Sequence, residues 1–181
     1  MLTLNTKLEH AAVIDGELIL PYALREKSRQ RAVLASGEEV AVFTLRGTVM
    51  RDGDLLQGSE PDGTLRVVRV VAAAEETYRV ACTTPQALLR CAFHLGNRHT
   101  QAQVGQDAEG GFLRIRRDPV LQDMLTGLGA RVTPENAPFE PESGAYGGGH
   151  HGHDGQDGGH GGHLLAPVPL RQKIHRPSDP T

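Results

Sequence analysis

A chain of 181 residues with 38% hydrophobic residues, no Trp, four Phe and three Tyr can bury only a modest core, enough for one ordinary domain or two small ones. The formal net charge is −3 with no large block of one sign, which excludes the basic face that nucleic-acid binding requires. No apolar run is long enough to span a membrane, and the first twenty residues lack the basic-then-apolar pattern of a secretory leader. Two cysteines, Cys82 and Cys91, fit a reducing cytosol better than a disulfide framework, so a cytoplasmic protein is expected.

The first seventy or so residues read as β-rich. Residues 29–45 hold two short apolar stretches around Ser36-Gly37-Glu38, a hairpin pattern. Further turns are expected at Arg46-Gly47, Asp52-Gly53 and Asp62-Gly63, followed by a strand from Thr64 to Val71. Arg25, Lys27, Arg29 and Arg31 alternate, and on one strand they would share a face, either solvated or a docking surface for an acidic partner. Ala72 to Glu76 breaks the strand pattern and reads as a linker.

The pattern then changes. Tyr78, Val80 and Cys82 alternate as in a strand. A helix follows, with Thr83 as N-cap, Gln86 closing a capping box and Pro85 in the first turn. Its apolar stripe is Leu88, Cys91, Ala92 and Leu95, and Gly96-Asn97 is the expected left-handed stop. A weak strand (100–106), a turn (107–111) and a stronger strand (111–116) come next. Asp118 caps a second helix that Pro119 starts and Gly129 stops, with Leu121, Met124, Leu125 and Leu128 on its buried side. Residues 130–141 are a last extended segment. The order from Thr77 to Glu142 is β-α-β-β-α-β, the ferredoxin-like arrangement with two helices on one face of an antiparallel sheet. The expected fold class is therefore α+β: a small β domain (1–72), a ferredoxin-like domain (77–142) and a disordered Gly/His-rich, then Pro-rich tail (143–181) that cannot bury enough apolar surface to order itself.

The tail carries the clearest chemistry. His150, His151, His153, His160 and His163 are five of the nine histidines in the chain. Neutral imidazole binds Ni, Cu, Zn and Co, and intervening glycines let several rings reach one ion. Such a site binds weakly and exchanges fast, as in a store or transfer arm. His94 and His99 bracket a second candidate. His94 would sit in the last helical turn and His99 at the start of the next strand. Either they are a dipole-complementing residue and a surface residue, or His99 is a metal ligand that needs a second copy of itself across a two-fold axis. Leu89 and Phe93 fall off the buried stripe of the helix and suggest a self-complementary apolar patch beside that site. Cys82 and Cys91 read as small hydrophobes. No nucleophile elbow, phosphate loop, HExxH or dinucleotide fingerprint is present, so no catalytic activity is expected.

The HLGNRH element (94–99), the LRIRRDPVLQDMLTGLG segment (113–129), FEPESGAYGGGHHGH (139–153) and the stretch from Lys27 to Leu56 together resemble the urease accessory nickel metallochaperone family (UreE-type). The resemblance implies an N-terminal β domain for peptide or partner binding and a C-terminal ferredoxin-like metal domain. It implies a homodimer with Ni(II) as cargo at its axis, and delivery to the urease apoprotein through the urease-assembly GTPase. By the same resemblance His99 is the interfacial ligand, the five tail histidines are auxiliary ligands, and His94 is a third, less defined one. Two functions of other classes stand beside it: general Ni, Zn or Cu buffering without a urease client, since His sites bind Cu(II) more tightly than Ni(II), and metal-dependent hydrolysis. A separate docking domain argues against the first. The second needs a carboxylate beside the histidines, and HLGNRH has none.

Overall fold

The computed structural model describes residues 1–143. It is a mixed α+β structure of two sheets and three helices. The first sheet is built from β1 (Leu2–Leu8), β2 (Gly16–Leu20), β3 (Arg29–Val33), β4 (Glu39–Phe43), β5 (Leu55–Ser59) and β6 (Leu65–Ala72), with the single-turn helix α1 (Tyr22–Arg25) between β2 and β3. Its strand order is β2-β6-β5-β1-β4-β3. The β3–β4 pair is the hairpin expected around Ser36-Gly37, and Gly37, Gly47, Gly53 and Gly63 all take positive φ, as the turn pattern requires. Alternating Leu and Val residues close the core of this sheet: Leu2, Leu4, Leu18, Leu20, Val40, Val42, Leu56, Val68 and Val70, with Leu34 and Met50 from the connections. Burying a Leu or Val side chain contributes about 1.5–3 kcal/mol.

The second sheet contains β7 (Ala74–Ala81), β8 (Gln103–Asp107), β9 (Gly110–Arg116) and β10 (Arg131–Pro138), in the order β10-β7-β9-β8 with every neighbouring pair antiparallel. Helices α2 (Pro85–Gly96) and α3 (Pro119–Gly127) supply its cover. Tyr78 and Val80 of β7, Leu113 and Ile115 of β9, Cys91 and Leu95 of α2 and Leu125 of α3 form one buried cluster, so both helices lie over the same face. The apolar stripes expected for both helices join that cluster, with Leu88, Ala92, Leu121, Met124 and Leu128 packed at its margin.

Three local expectations are corrected. Residues 72–76 are not a linker: only Ala73 separates β6 from β7, and it is pinned by a hydrogen bond from its N–H to Leu20 O (3.0 Å). The four alternating cations do not share a strand face. Arg25 ends α1 and is fully buried, Lys27 lies in the following turn, and only Arg29 and Arg31 stand on the exposed side of β3. The N-cap of α2 is Thr84, whose hydroxyl accepts from Ala87 N–H (3.2 Å), one residue later than the Thr83–Gln86 box. Pro85 decides this, because it takes the first helical position, where its missing N–H costs nothing.

Arg25 fastens the end of the second sheet's chain to the first sheet. Its guanidinium donates to Leu20 O (3.1 Å), Met50 O (3.2 Å) and Phe139 O (2.6 Å), and it pairs with the Glu140 carboxylate. Arg51 reaches the other carboxylate oxygen of Glu140 (3.0 Å), Pro141 O (2.9 Å) and Ser143 Oγ (2.8 Å). Phe139, fully buried, meets Tyr22 edge-to-face at 5.7 Å. The FEPES segment is thereby held along residues 139–143. The disordered tail expected from residue 143, and the five histidines it carries, lie almost entirely outside the described residues.

Candidate metal centre

Helix α2 positions the candidate site. Its stripe buries Cys91 and Leu95, which orients the opposite side of the last two turns toward solvent. Leu89 and Phe93 are 70% and 65% exposed, as their offset from the stripe predicts. His94, half-buried in the last turn, stands edge-on to the Phe93 ring at 5.6 Å. Its backbone carbonyl accepts from Arg98 Nη1 (3.2 Å), which satisfies one of the carbonyls left free at a helix end.

The helix does not stop where the sequence suggests. Gly96 is the last helical residue, and Asn97 keeps right-handed φ (−62°). The left-handed residue is His99, at φ 52°, the one non-glycine residue with positive φ among the described residues. His99 N–H donates to Gly96 O (2.9 Å) and Thr100 N–H to Leu95 O (3.1 Å), the paired bonds of a Schellman cap. Helix α3 ends in the same motif, with Gly129 N–H on Thr126 O (2.9 Å), Ala130 N–H on Leu125 O (3.0 Å) and Gly129 at φ 87°. The two helices superpose in chemistry: Leu95 matches Leu125, Thr100 matches Ala130, and His99 occupies the place that α3 gives to glycine. His99 is thus in an exposed capping turn and not at the start of a strand, since β8 begins only at Gln103. The sequence contained the signal, because the four-residue spacing from a buried Leu to the left-handed position is the same in LGNRH and LTGLG.

Arg98, His99, Thr100, Gln101, Arg116, Arg117, Asp118 and Leu121 line a cavity of about 290 Å³. Arg116 donates to Gln101 Oε1 (2.7 Å) and lies over the Tyr22 and Phe139 rings, while Arg117 pairs with Glu76 at 3.2 Å. The Asp118 carboxylate accepts from the Val120 and Leu121 N–H groups (2.8 and 3.1 Å), so it caps α3. Among the described residues no three His, Cys, Asp or Glu side chains gather closely enough to hold an ion. His94 and His99 share one end of α2, but nothing in that part of the chain completes a ligand set with them. His150, His151, His153, His160 and His163 lie outside the described residues. No described helix is long and apolar enough to cross a membrane.

Cys82 and Cys91 join the core of the second sheet, as their reading as small hydrophobes predicts. Cys91 is buried and Cys82 half-buried, and their sulfurs face each other at 3.8 Å. Nine residues of separation across a strand-to-helix turn gave no sequence signal for this contact.

Comparison with known proteins places both halves of the chain. Residues 3–73 match the family model described as UreE urease accessory protein, N-terminal domain, and residues 75–164 match the corresponding C-terminal domain. The chain is 68% identical over 187 aligned residues to a urease accessory protein UreE of Janthinobacterium sp. (strain Marseille), covering 99% of this chain and 98% of the relative. It is 61% identical to the protein of the same name from Nitrosospira multiformis, with 99% and 98% coverage. A Cupriavidus necator relative, also named urease accessory protein UreE, is 54% identical over 134 residues, or 74% of this chain and 66% of its own length.

Proposed function

Because this chain belongs to the UreE urease accessory protein family, we propose that it is a non-catalytic nickel metallochaperone that carries Ni(II) to urease during active-site assembly. Its tighter site is His99 paired with His99 of a second copy, and His94 and the tail histidines His150, His151, His153, His160 and His163 hold further ions weakly. The observation that carries this reading is the Schellman cap of α2. A residue with an ordinary side chain replaces glycine at a left-handed position, and that side chain is an exposed imidazole. Backbone strain of that kind persists where function requires the side chain. One imidazole cannot hold a metal tightly, so two must meet, and the exposed Leu89 and Phe93 beside His94 supply an apolar patch on which a homodimer could close.

The second sheet with its two helices is the ferredoxin-like metal domain in this reading, supported by the β7-α2-β8-β9-α3-β10 order and antiparallel neighbours. The first sheet is the peptide or partner-binding domain, the partners are the urease-assembly GTPase and the urease apoprotein complex, and the protein works in the cytoplasm. The irregular tail accommodates Zn(II) or Cu(II) in vitro, since His-rich sites do not select strongly by geometry.

Native mass spectrometry with added Ni(II) tests the proposal, because it reads oligomer and metal count together. The expected result is a dimer with one tightly held ion plus weaker ones. His99→Ala should remain dimeric and lose the tight ion. Phe93→Glu should be monomeric and lose it as well, since each chain offers one His99. A monomeric Phe93→Glu protein that keeps full-affinity nickel would overturn the shared site.

A further inference from the structure

The contact between Cys82 and Cys91 is unused by any metal-binding role of α2, and its surroundings are asymmetric. Cys82 directly follows β7 and is half-buried, while Cys91 lies in the middle of α2 with no exposed surface. Their Sγ atoms are 3.8 Å apart. They are the only two cysteines of the chain. Each sulfur therefore has one intramolecular partner, already in van der Waals contact, and Cys82 is the less buried residue of the two.

We propose that Cys82 and Cys91 form a reversible, peroxide-driven disulfide that ties the end of β7 to the middle of α2. The thiolate of Cys82, the less buried cysteine, attacks one oxygen of hydrogen peroxide. The O–O bond breaks, hydroxide leaves and takes up a proton as water, and Cys82 becomes a sulfenic acid. Cys91 Sγ then attacks Cys82 Sγ. The S–S bond forms as the S–O bond breaks, and the Cys91 proton leaves with the departing hydroxide as a second water. Two thiols lose two electrons in total and one peroxide gains them. A small-molecule dithiol reverses the bond by exchange.

The division of labour follows from burial. Loss of solvent, with the neighbouring Cys82 adding to it, pushes the Cys91 thiol up to about 11, so Cys91 stays protonated and does not react with peroxide on its own. It is a poor nucleophile in general, but it is held against the one sulfur it has to attack, and proximity offsets weak nucleophilicity. The bond would close the short loop Thr83–Arg90 that starts α2, the helix whose end carries His94 and His99. Its formation depends on the thiol geometry alone and is independent of the nickel reading.

The test uses the full-length reduced protein, treated with stoichiometric hydrogen peroxide and then with an alkylating reagent under denaturing conditions. The expected product is a single chain lighter by two hydrogens, with no alkylatable thiol, restored by dithiothreitol. Its melting temperature should rise by roughly 5–10 °C, because the cross-link restricts the unfolded chain. Cys91→Ser should stop at the Cys82 sulfenic acid, captured by dimedone. Cys82→Ser should leave Cys91 unreacted, which checks the order of events in a variant that retains the buried residue. Over-oxidation of Cys82 to the sulfinic acid in the unaltered protein, with Cys91 still alkylatable, would overturn the proposal, as would a disulfide found only between chains.

Discussion

Arg25 shows how much one residue can do. A fully buried guanidinium is costly unless every donor is met, and here three backbone carbonyls and the Glu140 carboxylate meet it. Arg25→Ala would leave the Leu20, Met50 and Phe139 carbonyls without this donor and Glu140 without its buried partner. The expected loss is about 3–5 kcal/mol by urea denaturation. Glu140→Gln keeps one acceptor oxygen and leaves Arg51 its contacts with Pro141 and Ser143, but it removes the charge opposite the buried guanidinium and turns an amide donor toward an arginine, so about 2–3 kcal/mol is expected. Similar losses in the two variants would mean that the ion pair, and not the carbonyl bonds, holds the FEPES segment. The run of alternating cations from Arg25 to Arg31 disguised this role. A periodicity of two is common to strands and to chance, and burial of one member depends on Glu140, which lies 115 positions away.

Among the elements, the ends of α2 and α3 are directly comparable. Both close with a Schellman cap over a buried leucine, but α3 pays no conformational cost at Gly129, whereas His99 carries the left-handed strain of a residue with a Cβ. His99→Gly should therefore stabilise the metal-free protein by about 0.5–1 kcal/mol, seen as a higher midpoint in thermal or urea unfolding, while abolishing tight nickel binding. A metal-free His99→Gly protein less stable than the parent would show that the His99 side chain holds the cap by contacts of its own. The α3 stop was legible because Gly129 is a glycine. The α2 stop was misread by two to three residues because Gly96 and Asn97 are the residues that usually fill such a position, yet both remain right-handed. Local propensity named the candidates, and the burial of Leu95 chose the register.

At the scale of the whole molecule, the proposed nickel sites fall into two classes, one at the capped end of α2 and one in residues 150–163. Truncation after Gly149 should lower nickel stoichiometry in equilibrium dialysis while preserving the tight site. Binding to both classes should weaken as pH falls through the imidazole range, because protons compete for the ligand nitrogens. Loss of all binding on truncation would place the tight site in the tail. Affinity unchanged on acidification would point to ligands other than imidazole.

The amino-acid sequence by itself determined the α+β class, the β-α-β-β-α-β order after residue 77, the two amphipathic helices with their stripes, and the family, through HLGNRH and the segments around it. These features are local: a period, a cap residue or a run of side chains is complete within a few neighbours. Only the tertiary structure decided that Arg25 is buried, that residues 72–76 continue from strand to strand, that His99 is the left-handed residue and that Cys82 faces Cys91. Arg25 depends on groups far apart in the chain, and the others on which near neighbours the fold buries; in each case burial, hydrogen bonding and packing outweigh the preference of any single residue.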